Sequence, residues 1–401
     1  MREIQNPIPT NDDGADTGPS IARILTSLGD RAAKIEKERA ESAHLLPEFL
    51  AHPVARQWTL LRNTRRYDTW SFAAALIDES FAMVMDNAAT SRDLADMALT
   101  ITGRLDVGLY GERSISDLSG RALSHLANAH RTLGDLSAAE ELLARARRAW
   151  ESGTGDPLDE AELLYFEASM LRARRRFDEA LRRIRKSARL YRELGDPHLE
   201  ARSRMNEAHI LSISGDPRGG RNLIAKILPW FDADRDPKLA FVARHNLVWY
   251  TMECGEGDEA LRMLSEFREE YAGAGQRSTY ARLHWLEGRI SVQLGRDNEV
   301  EAAYGRAIEE FAALELPYEL ATVSLDLASF CAGKGRVTEV RQIAERTMVL
   351  FRAIGVAEPM IAAWMIFRRA AEAEAVTAGL IERLVRYHAE ARYRPELEFQ
   401  G

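Results

Sequence analysis

The sequence predicts an all-α fold, a solenoid of stacked helical hairpins with capping helices at both ends, and three observations carry that prediction. Gly215, Gly255, Gly295 and Gly335 fall on one series of step 40, with Arg175 in the preceding slot and Gly134 one place off the slot before that. The text around these marks recurs, as in Leu133-Gly134-Asp135-Leu136-Ser137-Ala138-Ala139 and Cys254-Gly255-Glu256-Gly257-Asp258-Glu259-Ala260. Small residues sit seven before the mark (Ala127, Ala168, Ala208, Gly288, Ala328) and five after it (Ala139, Ala180, Ala260), where the two helices of a hairpin must approach closely. A fixed period of this kind belongs to a repeated structural unit. Such an array grows by stacking neighbours, so 401 residues can form one elongated body, and 46% apolar residues supply a long core.

Taken in order, residues 1–20 hold Pro7, Pro9, Asn11, Asp12, Asp13, Gly14 and Gly18 with little apolar content, and read as a disordered tail. Ile21 to Ala43 carries Ile21, Ile24, Leu25, Leu28, Ala32 and Ile35 at helical spacing; the stripe Ile21 to Ile35 is a candidate homodimer face. Helices are expected around Leu45–Leu50, Pro53–Asn63, Thr69–Met85 and Ser91–Gly103, so that 21–116 forms N-terminal helices and a degenerate capping repeat. Six units follow over 117–356. Each reads as helix A, a turn at the mark, helix B and often a Gly-Asp or Asp-Pro break, as in Leu194-Gly195-Asp196-Pro197. Residues 357–401 close the array with a capping pair, Pro359–Glu372 and Thr377–Ala391, with Ala375 where the next mark falls.

These features, with further small residues at Ala146, Ser187 and Ala307, resemble the tetratricopeptide repeat over about Asp117 to Gly355. The resemblance implies a right-handed superhelix whose concave groove is lined by helix A. The step of 40, against a usual period of about 34, is similar to the longer-helix variety of bacterial signal-responsive regulators of the maltose-activator kind and of peptide-sensing receptors. The stretch from Leu45 to Ser80, with Arg56-Gln57-Trp58 and Arg62-Asn63-Thr64-Arg65-Arg66-Tyr67, is similar to segments that join such arrays to a zinc-finger or DNA-binding module. The chain has no cysteine before Cys254 and no helix-turn-helix pattern, so a metal or operator function is not carried over.

Catalytic motifs are absent from the sequence: it contains no His-Glu-x-x-His, phosphate-binding loop with lysine, Gly-x-Ser-x-Gly or paired Cys-x-x-Cys. Gly153-Thr154-Gly155-Asp156-Pro157, Gly215-Asp216-Pro217-Arg218-Gly219-Gly220 and Gly255-Glu256-Gly257-Asp258-Glu259-Ala260 connect helices and read as turns. The nine histidines are scattered, so neither a metal nor a cofactor is expected. Cys254 and Cys331 lie in non-adjacent units and read as free buried thiols of a reducing cytoplasm. No secretory leader or apolar run of membrane length is seen, and a net charge of -8 argues against nucleic acid or an anionic membrane as partner.

What remains is the groove. Its helix A positions give Asn128 and Arg131; Tyr165, Ser169 and Arg172; Arg202, Met205, Asn206 and His209; His245, Asn246, Trp249 and Met252; and Arg282, Trp285 and Arg289. Acids are scarce among these positions until Asp326, with Glu162 an exception, which suggests a cationic groove studded with aromatics. Arginine can pair with carboxylates, asparagine can clamp a peptide bond, and tryptophan can anchor an apolar side chain. The tetratricopeptide resemblance adds carboxylate clamps built from such residues. The packing alternative stays open for Trp249, Trp285 and Tyr165, while Met205 and Met252 read as core. Ten cations between Arg172 and Arg192 spread around their helices and read chiefly as a solvated face. The function expected is a non-catalytic scaffold or sensor that binds a protein segment or peptide with acidic groups. The alternative is the regulatory module of a bacterial transcription or sigma-factor circuit.

Overall fold

The computed structural model describes residues 18–84, 87–232, 234–273, 277–353, 358–372, 377–392, 394 and 397–399, and among them there are helices and no strand. The expected tail over 1–17, the mark at Ala375 and the side chains of Ile21 to Leu28 lie outside the described residues. Gly18, Pro19 and Ser20, expected in the tail, instead open α1 (Gly18–Leu50). This helix also absorbs the separate helix expected at Leu45–Leu50. It continues through Pro47 because Phe49 beyond it is fully buried, 5.1 Å from the Tyr67 ring and 5.3 Å from Phe72.

There follow α2 (Val54–Asn63), the hairpin α3 (Trp70–Met83) and α4 (Ala88–Thr102), and the one-turn α5 (Val107–Tyr110). Six hairpins come next: α6 (Glu112–Thr132) with α7 (Leu136–Ser152), α8 (Pro157–Ala173) with α9 (Phe177–Glu193), and α10 (Pro197–Ile213) with α11 (Pro217–Ile227). The series continues as α12 (Pro237–Glu253) with α13 (Gly257–Gly273), α14 (Arg277–Gln293) with α15 (Asp297–Ala313), and α16 (Pro317–Gly333) with α17 (Val337–Ala353). Where the period is regular, two helices of 17 residues and two turns of three residues fill it. In the third hairpin helix B is shorter, because Pro229 lies in a 3₁₀ turn, Leu228–Trp230, that ends it.

The mark has one physical meaning throughout. Gly134, Arg175, Gly215, Gly255, Gly295 and Gly335 all have positive φ, between 57° at Arg175 and 104° at Gly215. At each, the mark's N–H bonds the carbonyl three residues back and the next N–H bonds the carbonyl five back, as in Gly255 to Met252 and Glu256 to Thr251. These two bonds close helix A in the left-handed conformation that glycine tolerates best. Asp135, Asp156, Asp196, Asp216 and Asp236 then cap the following helices through their side chains, and at the last four a proline occupies the first helical position.

Arg175 is the one mark that lacks the glycine, so Arg175→Gly should raise stability by about 1 kcal/mol by removing left-handed strain from a side-chain-bearing residue. Its stacking over Phe177, at 5.3 Å, is the contact given up. Chemical denaturation that shows a loss of stability would mean the stacking outweighs the strain.

At the C-terminal end, α18 (Glu358–Glu372) packs on α17, while α19 (Ala378–Ala391) packs mainly on α16 and less on α18. Tyr318 donates to the Ala391 carbonyl at 3.1 Å, and Arg392 lies 3.3 Å from Glu319. The last helix thus folds back over an A helix and covers the core around Trp364, which is fully buried.

Candidate binding groove

Along the array α3, α6, α8, α10, α12, α14 and α16 each touch the next in the series, whereas successive B helices stand farther apart. The body therefore curves with its A helices inside, and their side chains line the concave groove.

Thirteen residues before the mark, Arg121, Glu162, Arg202 and Arg282 share one register in successive or nearby units. Glu162 lies 3.6 Å from Arg121 Nε and 3.3 Å from His125 Nε2. Burial opposes its charge, but His125, then Arg121 and Arg202, hold the carboxyl well below the usual carboxylate range. Arg121 also reaches Asp78 at 3.6 Å and Asp159 at 3.9 Å, and burial pushes the Asp159 carboxyl up to about 7. A small cleft opens beside them, lined by Asp117, Trp150, Asp159 and Glu162 among others.

The next layer is aromatic. Arg202, only 8% exposed, stands with its Cζ 5.1 Å from the Phe81 ring centre and 4.9 Å from that of Tyr165, and Nη2 donates to the Tyr191 hydroxyl at 3.3 Å. Asn206, also buried, donates to Ser169 Oγ at 3.0 Å. Arg131 donates twice to Asn128 Oδ1, at 3.1 and 2.8 Å. His209 Nδ1 lies 3.4 Å from the Tyr250 hydroxyl, and burial, helped by Arg172, pushes the His209 ring down to about 3. Burial and Arg282 push His245 down to about 4. Both rings are neutral at pH 7 and act as hydrogen-bonding groups there.

In the C-terminal half, Trp249 and Trp285 meet edge to face, 4.9 Å apart at 73°. Their Nε1 atoms donate to Glu253 at 2.9 Å and Asp326 at 2.7 Å. Arg289 stacks over Trp249 at 5.0 Å and lies 3.9 Å from Asp326. Both tryptophans therefore pack between helices and still keep partly exposed faces, as do Asn246, Arg172, Arg282, Arg289 and Tyr165.

The structure corrects one expectation, the predominantly cationic groove in which Glu162 and Asp326 are the acidic exceptions. Asp78, Asp159, Glu162, Glu253 and Asp326 share the surface with the arginines, so its charge is mixed and locally paired. The positions read from helix A omitted Asp78, which lies on α3 ahead of the regular period, and Glu253, two residues before its mark. Phe81, His125 and Tyr191 were missed as well. Of these, only His125 had a readable signal, being nine before its mark, the place Asn206 and Asn246 hold in theirs. Met252 is buried, whereas Met205 is partly exposed against the neighbouring core.

The basic run is an ion-pair ladder that ties B helices to A helices. Arg174 pairs with Glu140 at 2.9 Å, Arg183 with Glu167 at 3.5 Å, Arg185 with Glu207 at 2.7 Å, Arg192 with Glu200 at 2.6 Å, and Lys186 with Glu160. Pairs of this exposure contribute about 0 to 1 kcal/mol each. Cys254 is partly exposed and Cys331 buried, and both are free thiols. Among the described residues no helix is long and apolar enough to cross a membrane, and no group of acidic, histidine and cysteine side chains is placed to hold a metal ion.

Residues 120–156 match the family model of the tetratricopeptide repeat. No curated protein sequence matches the chain. Among solved structures, a Rap protein complexed with Competence and Sporulation Factor is similar over 80% of this chain and 96% of its own, at 13% identity and a TM-score of 0.57. The apo form of RapI covers 71% of this chain and 98% of its own, at 12% identity and a TM-score of 0.53. NprR in complex with its cognate peptide NprX covers 80% and 86%, at 16% identity and a TM-score of 0.50. One repeat over α6 and α7 matches that family model, the same plan recurs through α17, and the chain is an all-α solenoid of tetratricopeptide-like hairpins, similar in fold to the Rap and NprR structures.

Proposed function

We propose that this protein is a non-catalytic interaction scaffold or sensor of the cytoplasm whose concave groove holds a peptide or a segment of a partner protein. The observation that carries the reading is the composition of the A-helix surface. It offers partly exposed Trp249, Trp285 and Tyr165, the amide of Asn246, and neutral His209 and His245 along one continuous face, with the Asn206 amide held beneath it by Ser169. Asparagine amides can donate to and accept from a peptide bond, and a seated aromatic anchor is worth roughly 2 kcal/mol or more. Two of the structures similar in fold were solved with a peptide or factor bound, NprR with its cognate peptide NprX and a Rap protein with Competence and Sporulation Factor, which supports a peptide-binding role here.

Because Arg121 and Arg289 already face Asp159, Glu162 and Asp326, an acidic partner would meet the middle of the groove at the C-terminal end of α8, where Arg172 stands clear of those carboxylates. A homodimer through α1 rests on the apolar spacing of Ile21 to Ile35 alone; light scattering that gives a monomer mass at every concentration removes it.

The test is a pull-down from extract of the source cell with the wild-type chain and with Arg172→Glu/Trp249→Ala. A protein or peptide held by the wild type and lost from the variant is expected. Identical catches would place the binding surface on the B helices or the N-terminal helices.

A further inference from the structure

The outer layer carries charge that the internal ion pairs do not exhaust. In three successive B helices, residues 142–150 of α7, 180–192 of α9 and 217–227 of α11 hold three, six and three arginines and lysines, and no acid. Part of this charge is engaged within the chain. Arg183, Arg185, Lys186 and Arg192 reach A-helix glutamates as described above, Arg147 meets Glu167 at 2.6 Å, and Arg221 meets Glu256. Arg145, Arg148, Arg182, Arg218 and Lys226 are exposed and form no ion pair among the described residues. Arg145 and Lys226 stand eleven residues after their marks, as Lys186 does, and Arg148 and Arg189 stand fourteen after theirs. The cations therefore face outward in register from one B helix to the next. A field of one sign over neighbouring helices repels itself, and a docked surface of opposite sign relieves it.

The borders of this belt indicate what would cover it. Asp96 of α4 lies near Arg145, and past α11 the exposed Asp258 and Glu266 of α13 return acids to the outer layer. Exposed Glu141, Glu151, Asp178 and Glu193 close the belt along the helices of α7 and α9. A patch with an acidic rim suits the finite acidic face of a protein, whereas a phosphate backbone would run on past the rim and be repelled there. Within these stretches Tyr191 is buried and Trp150 is stacked by Arg147 at 5.4 Å, which leaves no ring for a base. The exposed large apolar side chains all lie outside them, so nothing there would enter a bilayer.

We propose that the outer faces of α7, α9 and α11 form a docking surface for the acidic face of a folded partner protein. The surface is separate from the concave groove, and the inference stands whether or not the groove holds a peptide. Exposed ion pairs are weak singly, so the affinity comes from all three helices together. A randomised nonapeptide carries too few carboxylates to collect it.

The probe is a soluble helical bundle with glutamates along one face, offered to the full chain beside the same bundle with glutamines in their place. At low salt the glutamate bundle should be held at least tenfold more tightly, and the margin should shrink steadily as salt is added. Arg145→Glu/Arg182→Glu/Lys226→Glu, one exposed cation from each helix, should remove the margin. Arg172→Glu/Trp249→Ala, in the groove, should keep it. Equal retention of the two bundles by the wild type, a result that needs no variant to fold, overturns the docking surface. So does a margin that survives the triple substitution or disappears from the groove variant. Tighter retention of duplex DNA, or of phosphatidylserine vesicles, than of the glutamate bundle would sink the choice of a protein as the partner.

Discussion

Gly220→Val is expected to lower stability by about 3 kcal/mol, the upper part of the range for overpacking a close helix contact. Gly220 lies five residues after the mark in α11, and a Cβ there would stand 2.7 Å from the carbonyl oxygen of Ala208, seven before the same mark in α10. The obstacle is backbone, so side-chain rotation gives no relief, and the two helices would have to separate. This is the contact for which small residues recur at both positions along the array. Its mirror is seen at Gly288, where an added Cβ would meet the buried Tyr304 ring at 2.4 Å. A control separates steric cost from helix propensity: Gly305, inside α15, faces open space, and Gly305→Ala should stabilise by up to about 1 kcal/mol. Urea denaturation of the two variants checks both signs. A Gly220→Val protein as stable as the wild type would mean that the hairpins are not held by close helix approach.

Acid should weaken the C-terminal end of the array through His388. Trp364 Nε1 donates to His388 Nε2 at 2.8 Å, both residues are buried, and Nδ1 finds no acceptor, so the ring must stay neutral. Burial pushes it down to about 3. An unfolded histidine titrates near 6.5, so this stability is complete above pH 6.5 and is lost as the pH falls towards 3, at about 1.4 kcal/mol per pH unit. At pH 5 the loss from His388 is about 2 kcal/mol. His209 and His245, also depressed, act in the same direction from more exposed positions. Asp159 opposes them: its raised carboxyl, near 7, makes the folded state gain from protonation over the same interval. The readout is therefore the difference between wild type and His388→Gln, whose side-chain oxygen can still accept from Trp364. The variant should show a pH 7 to pH 5 loss smaller by about 2 kcal/mol. Parallel pH curves for the two proteins would show that His388 is not held neutral.

The architecture was legible because each mark is a local conformational demand. A residue at positive φ that closes helix A selects glycine at five of six marks, and the aspartates that cap the following helices supply the Gly-Asp and Asp-Pro breaks. The first helix was misread because its course through Pro47 is decided by Phe49 packing on Tyr67 and Phe72, which are remote in sequence. Within the groove, the residue types could be read from helix A register, but their pairing could not. Whether Arg289 is free to meet a ligand depends on Asp326 in the next unit, and the setting of Arg202 depends on Phe81 three hairpins earlier. Such contacts arise from superhelical curvature, which a one-dimensional period does not encode.

The central claim, that the concave A-helix surface holds a peptide segment, is tested most directly by comparing two variants that differ only in the face they alter. Arg172→Glu/Trp249→Ala changes the groove, and Arg182→Glu/Arg189→Glu changes helix α9, on the outer layer. Equilibrium retention of one randomised nonapeptide pool should fall at least tenfold for the groove variant and stay at the wild-type level for the outer variant. The reverse pattern, with binding lost from α9 and kept in the groove variant, would contradict the account.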